Sequence, residues 1–412
     1  MSQDKVYTLL ERLELDLNFA KDSILNEFHF LGVFDPTDDW KILDRAIGGG
    51  QLVKWCEDGF LKNNISPIGR VYGCEKRKAS VQYAKYIHDL KGTYKHTGDY
   101  NLDNDSLLTR FDNISFLHSD RDFKYIEIGN YPYNDGSVNN NVIWNKFISD
   151  TRASRADAGA VVVQASFLSQ PFKGMSKTVK QDLIALGCYK VIINDYSDFD
   201  QKKAKVKTCI LFFRRGYNGL VTFVERKTGL EVKTVLQKPF DMIFDPGHRK
   251  FLDEVKKAKT KSFARFPQYK AFKNKEGYCL GPYYKTEGFD KNPLKTFIDI
   301  EPNSPKEKNF YVVFASAKTK EEFDVIKEHH KSFWFNDAVQ AALILTRYQI
   351  SLDATQYAVI PHTKIDRVFG ENELFELWNI SEEAREAARE LVKECNHKCN
   401  QKKVKVVNEE DN

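Results

Sequence analysis

The chain of 412 residues is long enough for one large or two medium domains. Its hydrophobic fraction of 42% excludes global disorder, and its net charge of +5 permits a polyanionic partner without requiring one. The seven cysteines are scattered and no secretory signal precedes them, which predicts free thiols in a reducing cytoplasm. No apolar run approaches the roughly 20 residues of a membrane span, so no membrane partner is expected. Cys395, His397 and Cys399 lie close together, but no second cysteine pair completes a zinc site, and no metal is expected.

Residues 1–39 are predicted to form an N-terminal helical segment, because apolar side chains recur at helical spacing over residues 5–31. Between residues 40 and 216, short apolar runs alternate with helical stretches. That alternation predicts an α/β domain with a mainly parallel sheet. The expected strands cover residues 41–43, 70–73, 114–118, 125–129, 160–164, 189–194 and 209–214, and the expected helices cover residues 51–62 and 78–90.

The character of the sequence changes after residue 216, and residues 217–395 are predicted to form a second, α+β domain. Residues 219–235 have the pattern of antiparallel strands. The stretch from Arg249 to Lys275 is basic and interleaved with aromatic rings, and it is either a phosphate-binding surface or a solvated basic face. Further helices are expected over about 321–331, 337–346 and from Ser381 to about 393, and the charged tail, residues 396–412, is expected to be disordered.

A glycine-rich segment follows the first expected strand. Asp44 stands at the carboxyl end of that strand, and Ala46, Gly48 and Gly50 lead into the next helix. In an open α/β sheet ligands bind at this edge, and glycine allows a ligand to approach the backbone closely. The segment is therefore either a nucleotide-binding loop or an ordinary glycine turn between strand and helix.

Acidic side chains follow the second and third expected strands. Glu75 ends the second strand, where a carboxylate can accept two hydrogen bonds from ribose hydroxyls. After the third strand, Asp120, with Asp122 as the second choice, can accept from the exocyclic amine of a bound base, and Phe123 can pack against the base. The alternatives are a solvated glutamate and a polar loop.

The fourth expected strand ends in Asn130-Tyr131-Pro132-Tyr133. The oxygen of the asparagine amide accepts hydrogen bonds from an amine, and an aromatic ring can stack on a planar base. Proline stiffens such a loop because its φ angle is fixed.

The order and spacing of these segments resemble the gamma class of DNA adenine-N6 methyltransferases. Residues 44–50 are similar to that family's Asp-Pro-Ala-Cys-Gly-Ser-Gly cofactor loop, and residues 130–133 are similar to its Asn-Pro-Pro-Tyr catalytic loop. Arg45 and Tyr131 stand where the family has prolines.

The resemblance covers about residues 40–215 and extends to further segments. Residues 159–168 resemble the family's next strand and its Ser-Phe-Leu exit. Residues 198–213 resemble the segment that brings a second aromatic ring to the target base, which makes Phe199 a candidate stacking residue. Residues 349–361 and 377–383 are similar to the ending of many such enzymes.

The resemblance implies a Rossmann-like S-adenosylmethionine-dependent methyltransferase domain followed by a DNA-recognition domain. The implied reaction transfers a methyl group to N6 of a flipped-out adenine. The side-chain oxygen of Asn130 and the main-chain carbonyl of Tyr131 would accept from the amine, Pro132 would hold the loop, and Tyr133 and Phe199 would stack on the base. The implied S-adenosylmethionine site contains Asp44, Ala46, Gly48, Gly50, Glu75, Asp120 and Phe123.

The implied partner is double-stranded DNA, and a cognate restriction endonuclease is a further candidate in a restriction–modification pair. The chain is expected to be a monomer. It is expected in the bacterial cytoplasm, as a protein either of the bacterium or of a virus in a bacterial host. Two other interpretations stay open: the same site methylates RNA or a protein glutamine, or a degenerate methyltransferase fold binds DNA without turnover. The expected contacts to the DNA backbone are Lys256, Lys257, Lys259, Lys261 and Arg265.

Overall fold

The computed structural model describes residues 18–75, 77–96, 123–131, 143–194, 207–259, 277–282, 297–300, 314–346 and 359–410. The chain divides into two compact units, Met1–Met242 and Ile243–Asn412. Each unit has a hydrophobic core of its own among the described residues.

A nine-stranded sheet runs through the described part of the first unit. The strands are β1 (Trp40–Asp44), β2 (Val71–Glu75), β3 (Thr93–His96), β4 (Lys124–Asn130), β5 (Ala158–Gln164), β6 (Cys188–Ile193), β7 (Thr208–Arg214), β8 (Val221–Glu225) and β9 (Glu231–Thr234). Their order is β3-β2-β1-β4-β5-β7-β6-β8-β9. Strands β1 to β5 pair in parallel, and β7 runs antiparallel to β5 and β6. The expected α/β fold with a mainly parallel sheet is confirmed.

Helices alternate with these strands, as the sequence predicts. They are α1 (Asn18–Phe30), α2 (Gln51–Lys62), α3 (Lys78–His88), α4 (Trp144–Ala153), α5 (Ser166–Ser169) and α6 (Gly174–Ala185). Strand β5 is buried along six of its seven residues, which explains why it appears as an unbroken apolar run in the sequence. The predicted N-terminal helix is confirmed over α1, and residues 1–17 lie outside the described residues.

The chain changes direction beside β1. From β1 the chain moves outward to β2 and β3, and it then returns to form β4 on the other side of β1. In sheets of this type ligands bind outside the carboxyl ends of the strands at this change of direction. The register pairs Asp44 with Ile128, so Asn130 lies two residues further along β4 at the same edge.

Strand β3 is an element that the sequence analysis missed. It is four residues long, and Tyr94 is its one buried side chain, so it carries too little periodicity to predict a strand. The strand expected over residues 114–118 lies outside the described residues. The strand beside β2 is therefore β3.

The end of the first unit also differs from the prediction. Residues 219–235 contain the expected antiparallel pair, but β8 also pairs in parallel with β6. These strands therefore extend the first sheet instead of opening a second domain. The compact unit ends at Met242, whereas the sequence analysis placed the boundary at 216/217.

The second unit has an α+β architecture. Its strands are β10 (Tyr278–Pro282), β11 (Phe297–Ile300) and β12 (Ala315–Ala317), and its helices are α7 (Pro246–Ala258), α8 (Lys320–Trp334), α9 (Asp337–Leu345), α10 (Glu373–Leu377) and α11 (Glu382–Glu410). The strands form an antiparallel sheet with the order β11-β10-β12. Asp245 caps α7 by accepting from the amide of His248 at 2.8 Å. Within the core of this unit, the rings of Phe314 and Trp334 stack with centroids 4.5 Å apart.

The terminal helix α11 corrects a further prediction. The sequence predicts that this helix ends near residue 393 and that residues 396–412 are disordered, but α11 continues to Glu410. Residues 382–410 contain neither glycine nor proline, and many of them are strong helix formers, so nothing in this stretch ends the helix.

Replacement of Gly50 by alanine at the start of α2 is predicted to lower the free energy of unfolding. Its φ is +91°, and an added Cβ would lie 2.7 Å from the Cβ of Ala84. Left-handed backbone costs an alanine roughly 1–2 kcal/mol, and the clash is expected to add about 1–3 kcal/mol. Urea unfolding of Gly50→Ala measures the total.

Gly69→Ala is the matched control for this prediction, because Gly69 has a φ of +73° and an added Cβ there meets nothing within 4 Å. We expect Gly69→Ala to lose less unfolding free energy than Gly50→Ala. Equal losses would show that the contact with Ala84 has no importance.

Candidate active site

The glycine loop, residues 44–50, is fixed by backbone hydrogen bonds. The amide of Ala46 donates to Asp44 Oδ1 at 2.9 Å, and the amide of Ile47 donates to the carbonyl of Cys74 at 3.0 Å. The amide of Gly50 donates to the carbonyl of Ile47 at 2.7 Å. The loop is therefore tied to the end of β2 by backbone hydrogen bonds.

Glu75 ends β2 directly beside this loop. Its Oε2 accepts from the amide of Gly48 at 3.1 Å, and its Oε1 accepts from the amide of Arg77 at 3.1 Å. A carboxylate offers about four lone-pair positions, so it can accept several hydrogen bonds, including bonds from hydroxyl donors. An added Cβ at Gly48 would meet nothing within 4 Å, which leaves space beside the loop backbone.

Asp44 is a buried carboxyl group at the start of the loop, with 1% of its surface exposed. Burial raises the pKa of Asp44 to about 8; the amide of Ala46 opposes this shift, and the charges of Glu127 and Glu75 add to it. In the protein without a ligand, Asp44 is therefore largely protonated at neutral pH. A cation bound nearby would lower this pKa.

Asn130 presents an acceptor without a described partner at the end of β4. Its Oδ1 is shielded from solvent and has no hydrogen-bond partner among the residues that the structure describes. Buried polar atoms are nearly always paired, so an orphaned acceptor of this kind calls for a donor supplied by a ligand. An amine is such a donor.

Tyr131 turns its side chain into the core. Its amide donates to the carbonyl of Val162 at 3.3 Å, and its ring stacks on Phe147 with centroids 4.7 Å apart. Its hydroxyl donates to Glu127 Oε1 at 3.0 Å and lies 3.0 Å from the hydroxyl of Thr151. Burial and then the charge of Glu127 hold the pKa of Tyr131 well above its usual value, so the hydroxyl keeps its proton and donates. Its backbone is what it can contribute to a ligand site.

A buried ion pair links the glycine loop to β4, and the sequence analysis did not identify it. Arg45 Nε donates to Glu127 Oε1 at 2.6 Å, and both side chains have 0% exposure. The hydroxyl of Tyr125 also donates to Glu127. Arg45 Nη2 donates to Tyr125 Oη at 3.2 Å and to Ser154 Oγ at 2.9 Å. A glutamate inside an otherwise apolar strand is the sequence signal that could have revealed this pair.

Asn194 is a second amide at the same edge of the sheet. It follows β6, and its Nδ2 donates to Thr208 Oγ1 at 2.9 Å. Its Oδ1 is shielded from solvent and, within the described part of the chain, has no hydrogen-bond partner. The sequence pattern places Asn194 at the end of a strand, and no function was predicted for it.

The structure brings several predicted site residues to the carboxyl edge of the sheet, and others lie outside the described residues. Those at the edge are Asp44, Ala46, Gly48, Gly50, Glu75, Asn130 and Tyr131. Those outside the described residues are Asp120, Asp122, Pro132, Tyr133, Phe199, Lys261 and Arg265. In the second unit, Lys256 and Lys257 are exposed on α7, and Lys259 directly follows that helix.

The prediction for Phe123 is wrong. Phe123 directly precedes β4, and Lys41 Nζ lies 3.8 Å from the centroid of its ring. The seven residues of β4 span roughly 20 Å at the usual rise of a strand, so Phe123 and Asn130 lie at opposite edges of the sheet. Phe123 therefore cannot pack against a ligand bound beside Asn130.

Five of the described cysteines, Cys56, Cys74, Cys188, Cys209 and Cys279, are free thiols. Among the described residues, no three His, Cys, Asp or Glu side chains are grouped so that they could hold a metal ion. In the same part of the chain, no helix is both long and apolar enough to cross a membrane.

No protein-family model matches the chain, and no curated protein sequence matches it. Solved structures with a similar fold include the type IIG restriction endonuclease BpuSI, with 13% identity over 66% of this chain and 36% of that chain and a TM-score of 0.41. The type I restriction-modification system methyltransferase subunit from Streptococcus thermophilus has 14% identity over 48% of this chain and 44% of that chain, with a TM-score of 0.32. DrdV in a DNA complex has 13% identity over 67% of this chain and 35% of that chain, with a TM-score of 0.39.

The chain spans less than half the length of each of these three proteins. The strand order, with the antiparallel β7 between β5 and β6, gives the chain a Rossmann-like α/β sheet.

Asp44 is predicted to make the stability of the ligand-free protein depend on pH. The pKa of Asp44 is about 8 in the folded protein and 3.8 in the unfolded chain, so the folded state binds more protons between these values. The free energy of unfolding should therefore fall as pH rises from 4 to 8, by up to about 1.4 kcal/mol per pH unit. Asp44→Asn should flatten this dependence in urea unfolding measured at each pH.

Asp58→Asn is the control for this prediction, since Asp58 lies on the exposed side of α2 in an ion pair with Lys54. It should keep the wild-type slope. An unchanged slope in Asp44→Asn would show that Asp44 is ionised in the folded protein.

Proposed function

We propose that the chain is a site-specific DNA methyltransferase that transfers a methyl group from S-adenosylmethionine to N6 of a flipped-out adenine in double-stranded DNA. The observation that carries the proposal is the Oδ1 of Asn130, which has no partner among the described residues, at the carboxyl edge of a Rossmann-like sheet. It lies on the strand next to the glycine loop, which starts at the end of β1.

The described residues fit the proposed cofactor. We assign its binding to Asp44, Ala46, Gly48, Gly50 and Glu75. The Glu75 carboxylate suits ribose hydroxyls, and the open space beside Gly48 allows close approach to the backbone. When bound, S-adenosylmethionine supplies an electrophilic methyl group, so the protein need not supply a nucleophile.

The position of β3 indicates a further candidate for the acidic residue that contacts the adenine. In the resembled family this acid follows the third strand, and the strand paired with β2 is β3. Asp99 is the first carboxyl residue after β3 in the sequence. We therefore propose Asp99, in addition to Asp120, as a candidate for the acid that contacts the adenine.

The acceptor side of the reaction is assigned to Asn130 and its neighbours. Asn130 Oδ1 and the carbonyl of Tyr131 accept hydrogen bonds from the adenine amine and hold its nitrogen toward the methyl group. Holding two reacting groups in the right geometry supplies a large part of catalysis. Tyr133 and Phe199 stack on the base, and Pro132 stiffens the loop that carries Tyr133.

The replacement of a proline by Tyr131 is compatible with turnover. The catalytic contact in the resembled family is made by the main-chain carbonyl, which every residue has. The Tyr131 ring is buried against Phe147, so the side chain is held by the core. A restriction endonuclease that cuts the unmethylated sequence is the proposed partner of this activity.

Asn130→Ala is predicted to abolish most methyl transfer. Loss of one positioned hydrogen-bonding group typically lowers kcat by about 10²- to 10³-fold. The measurement uses labelled S-adenosylmethionine and unmethylated duplex DNA, followed by digestion to nucleosides and detection of N6-methyladenosine. S-Adenosylmethionine affinity should stay near the wild-type value.

Asn63→Ala is the control for this assay, because Asn63 lies at the end of α2 and its Nδ2 donates to the carbonyl of Gly59 at 2.8 Å. It should methylate like the wild type. If the wild-type protein labels RNA or a glutamine instead, the acceptor is wrong. If it binds cofactor or DNA without any transfer, the enzymatic proposal is wrong.

Lys256 and Lys257 are predicted to contact DNA phosphates. Their combined replacement by glutamine should weaken DNA binding and lower the slope of log affinity against log salt by about one for each lost contact. Fluorescence anisotropy with duplex DNA at several salt concentrations measures both. The double variant Lys331→Gln/Lys364→Gln removes the same charge elsewhere on the second unit and should leave the slope unchanged. Equal slopes for the two double variants would exclude α7 as a phosphate-binding surface.

A further inference from the structure

We propose that Arg45, Glu127 and Tyr131 act as one buried clamp that sets the glycine loop and the catalytic loop at a fixed distance, with Glu127 as a positioning residue for methyl transfer. The inference rests on the proposed function. It concerns the two positions at which this chain departs from the prolines of the resembled family, because Glu127 joins both of them.

The clamp is continuous in space. Glu127 Oε1 accepts from Arg45 Nε at 2.6 Å and from the hydroxyl of Tyr131 at 3.0 Å. One carboxylate oxygen therefore holds a residue of the glycine loop and a residue of the catalytic loop together. The three side chains have 0%, 0% and 1% exposure, so water does not compete for these bonds.

Each end of the clamp is next to a proposed site residue. Arg45 lies between Asp44 and Ala46, and Tyr131 directly follows Asn130. A shift of either end would move the backbone that carries those site residues. Misplacement of about 1 Å can lower a rate by about 10²-fold.

The Tyr131 end is held at three points besides the clamp residues. Its amide donates to Val162, its ring stacks on Phe147, and an added Cβ at Gly129 would lie 2.5 Å from its ring. A proline fixes its own φ angle through its ring. Here tertiary contacts restrict the residue in place of that ring, and they determine where its carbonyl points.

Helix α4 supports the Arg45 end. Arg45 Nη2 donates to Ser154 Oγ at 2.9 Å, and that hydroxyl donates to the carbonyl of Thr151 at 2.9 Å. Stability alone gives no reason for such a pair, since well-packed apolar side chains often stabilise a core as much as a buried ion pair does. A fixed distance between the glycine loop and the catalytic loop does give a reason for the buried ion pair.

Tyr131→Phe is the sharpest test, because it removes the hydroxyl and keeps the stacked ring. We expect kcat for methyl transfer to fall by about 10- to 100-fold, as when an outer contact to a site residue is lost. The S-adenosylmethionine dissociation constant should change less than about twofold, because Arg45 and Glu127 stay paired. Both are measured on the full chain, by single-turnover transfer to duplex DNA and by calorimetry.

Tyr189→Phe is the matched control. The hydroxyl of Tyr189 donates to Glu27, and Tyr189 is the second residue of β6, near the opposite edge of the sheet. The loss of this hydroxyl removes a similar contact but leaves Arg45, Glu127 and Tyr131 unchanged, so kcat should stay at the wild-type value. A Tyr131→Phe enzyme as fast as Tyr189→Phe would overturn the clamp.

Arg45→Lys tests the other end, since lysine keeps the charge but loses the planar fork of donors. If the residues act as one clamp, Arg45→Lys/Tyr131→Phe should lose less activity than the product of the two single losses. Multiplicative losses would overturn the clamp while the proposed function stands. Absence of transfer by the wild type would overturn the proposed function, and the clamp with it. If Arg45→Lys does not fold, the comparison of Tyr131→Phe with Tyr189→Phe decides.

Discussion

The ion pair between Arg45 and Glu127 is the constraint on which the proposed site depends. It crosses from the end of β1 to β4, the two strands between which the chain changes direction, and both charges are fully buried. Removing one partner would leave an uncompensated charge in the core, which is strongly destabilising. The pair therefore forces the ends of these two strands to stay together, and the glycine loop and Asn130 are placed by that geometry.

The same edge of the sheet is rich in carboxylates. Asp44, Glu75 and Glu127 lie close enough for Glu127 and Glu75 to raise the pKa of Asp44, and Arg45 neutralises one of the three. Such an edge favours a ligand that brings positive charge and hydroxyl donors. The proposed cofactor has both, so its binding and the ionisation of Asp44 are coupled. This coupling is a property of the buried loop and does not depend on which nucleic acid is the acceptor.

The alternation of strands and helices, the glycine loop and the order of Glu75 and Asn130 were predictable, because each produces a periodic or local signal. Strand β3 was not, since four residues with one buried side chain resemble a loop. The place of Phe123 was missed because Phe123 was assigned to the loop after the strand expected over residues 114–118, whereas it directly precedes β4 at the opposite edge of the sheet. The role of Glu127 depends on Arg45, 82 positions away, and such a long-range pair has no local pattern.

Two of the features that set this chain apart from its resembled family are therefore not independent. A lineage that gained Glu127 before Arg45, or Arg45 before Glu127, would pass through a protein with a bare charge in its core. Tyr131 in turn requires a glycine at 129, because a side chain there would collide with its ring. The four positions are therefore physically coupled in the folded protein, although they lie in two separate sequence motifs. A motif that scores each loop separately would count Arg45 and Tyr131 as two unrelated departures.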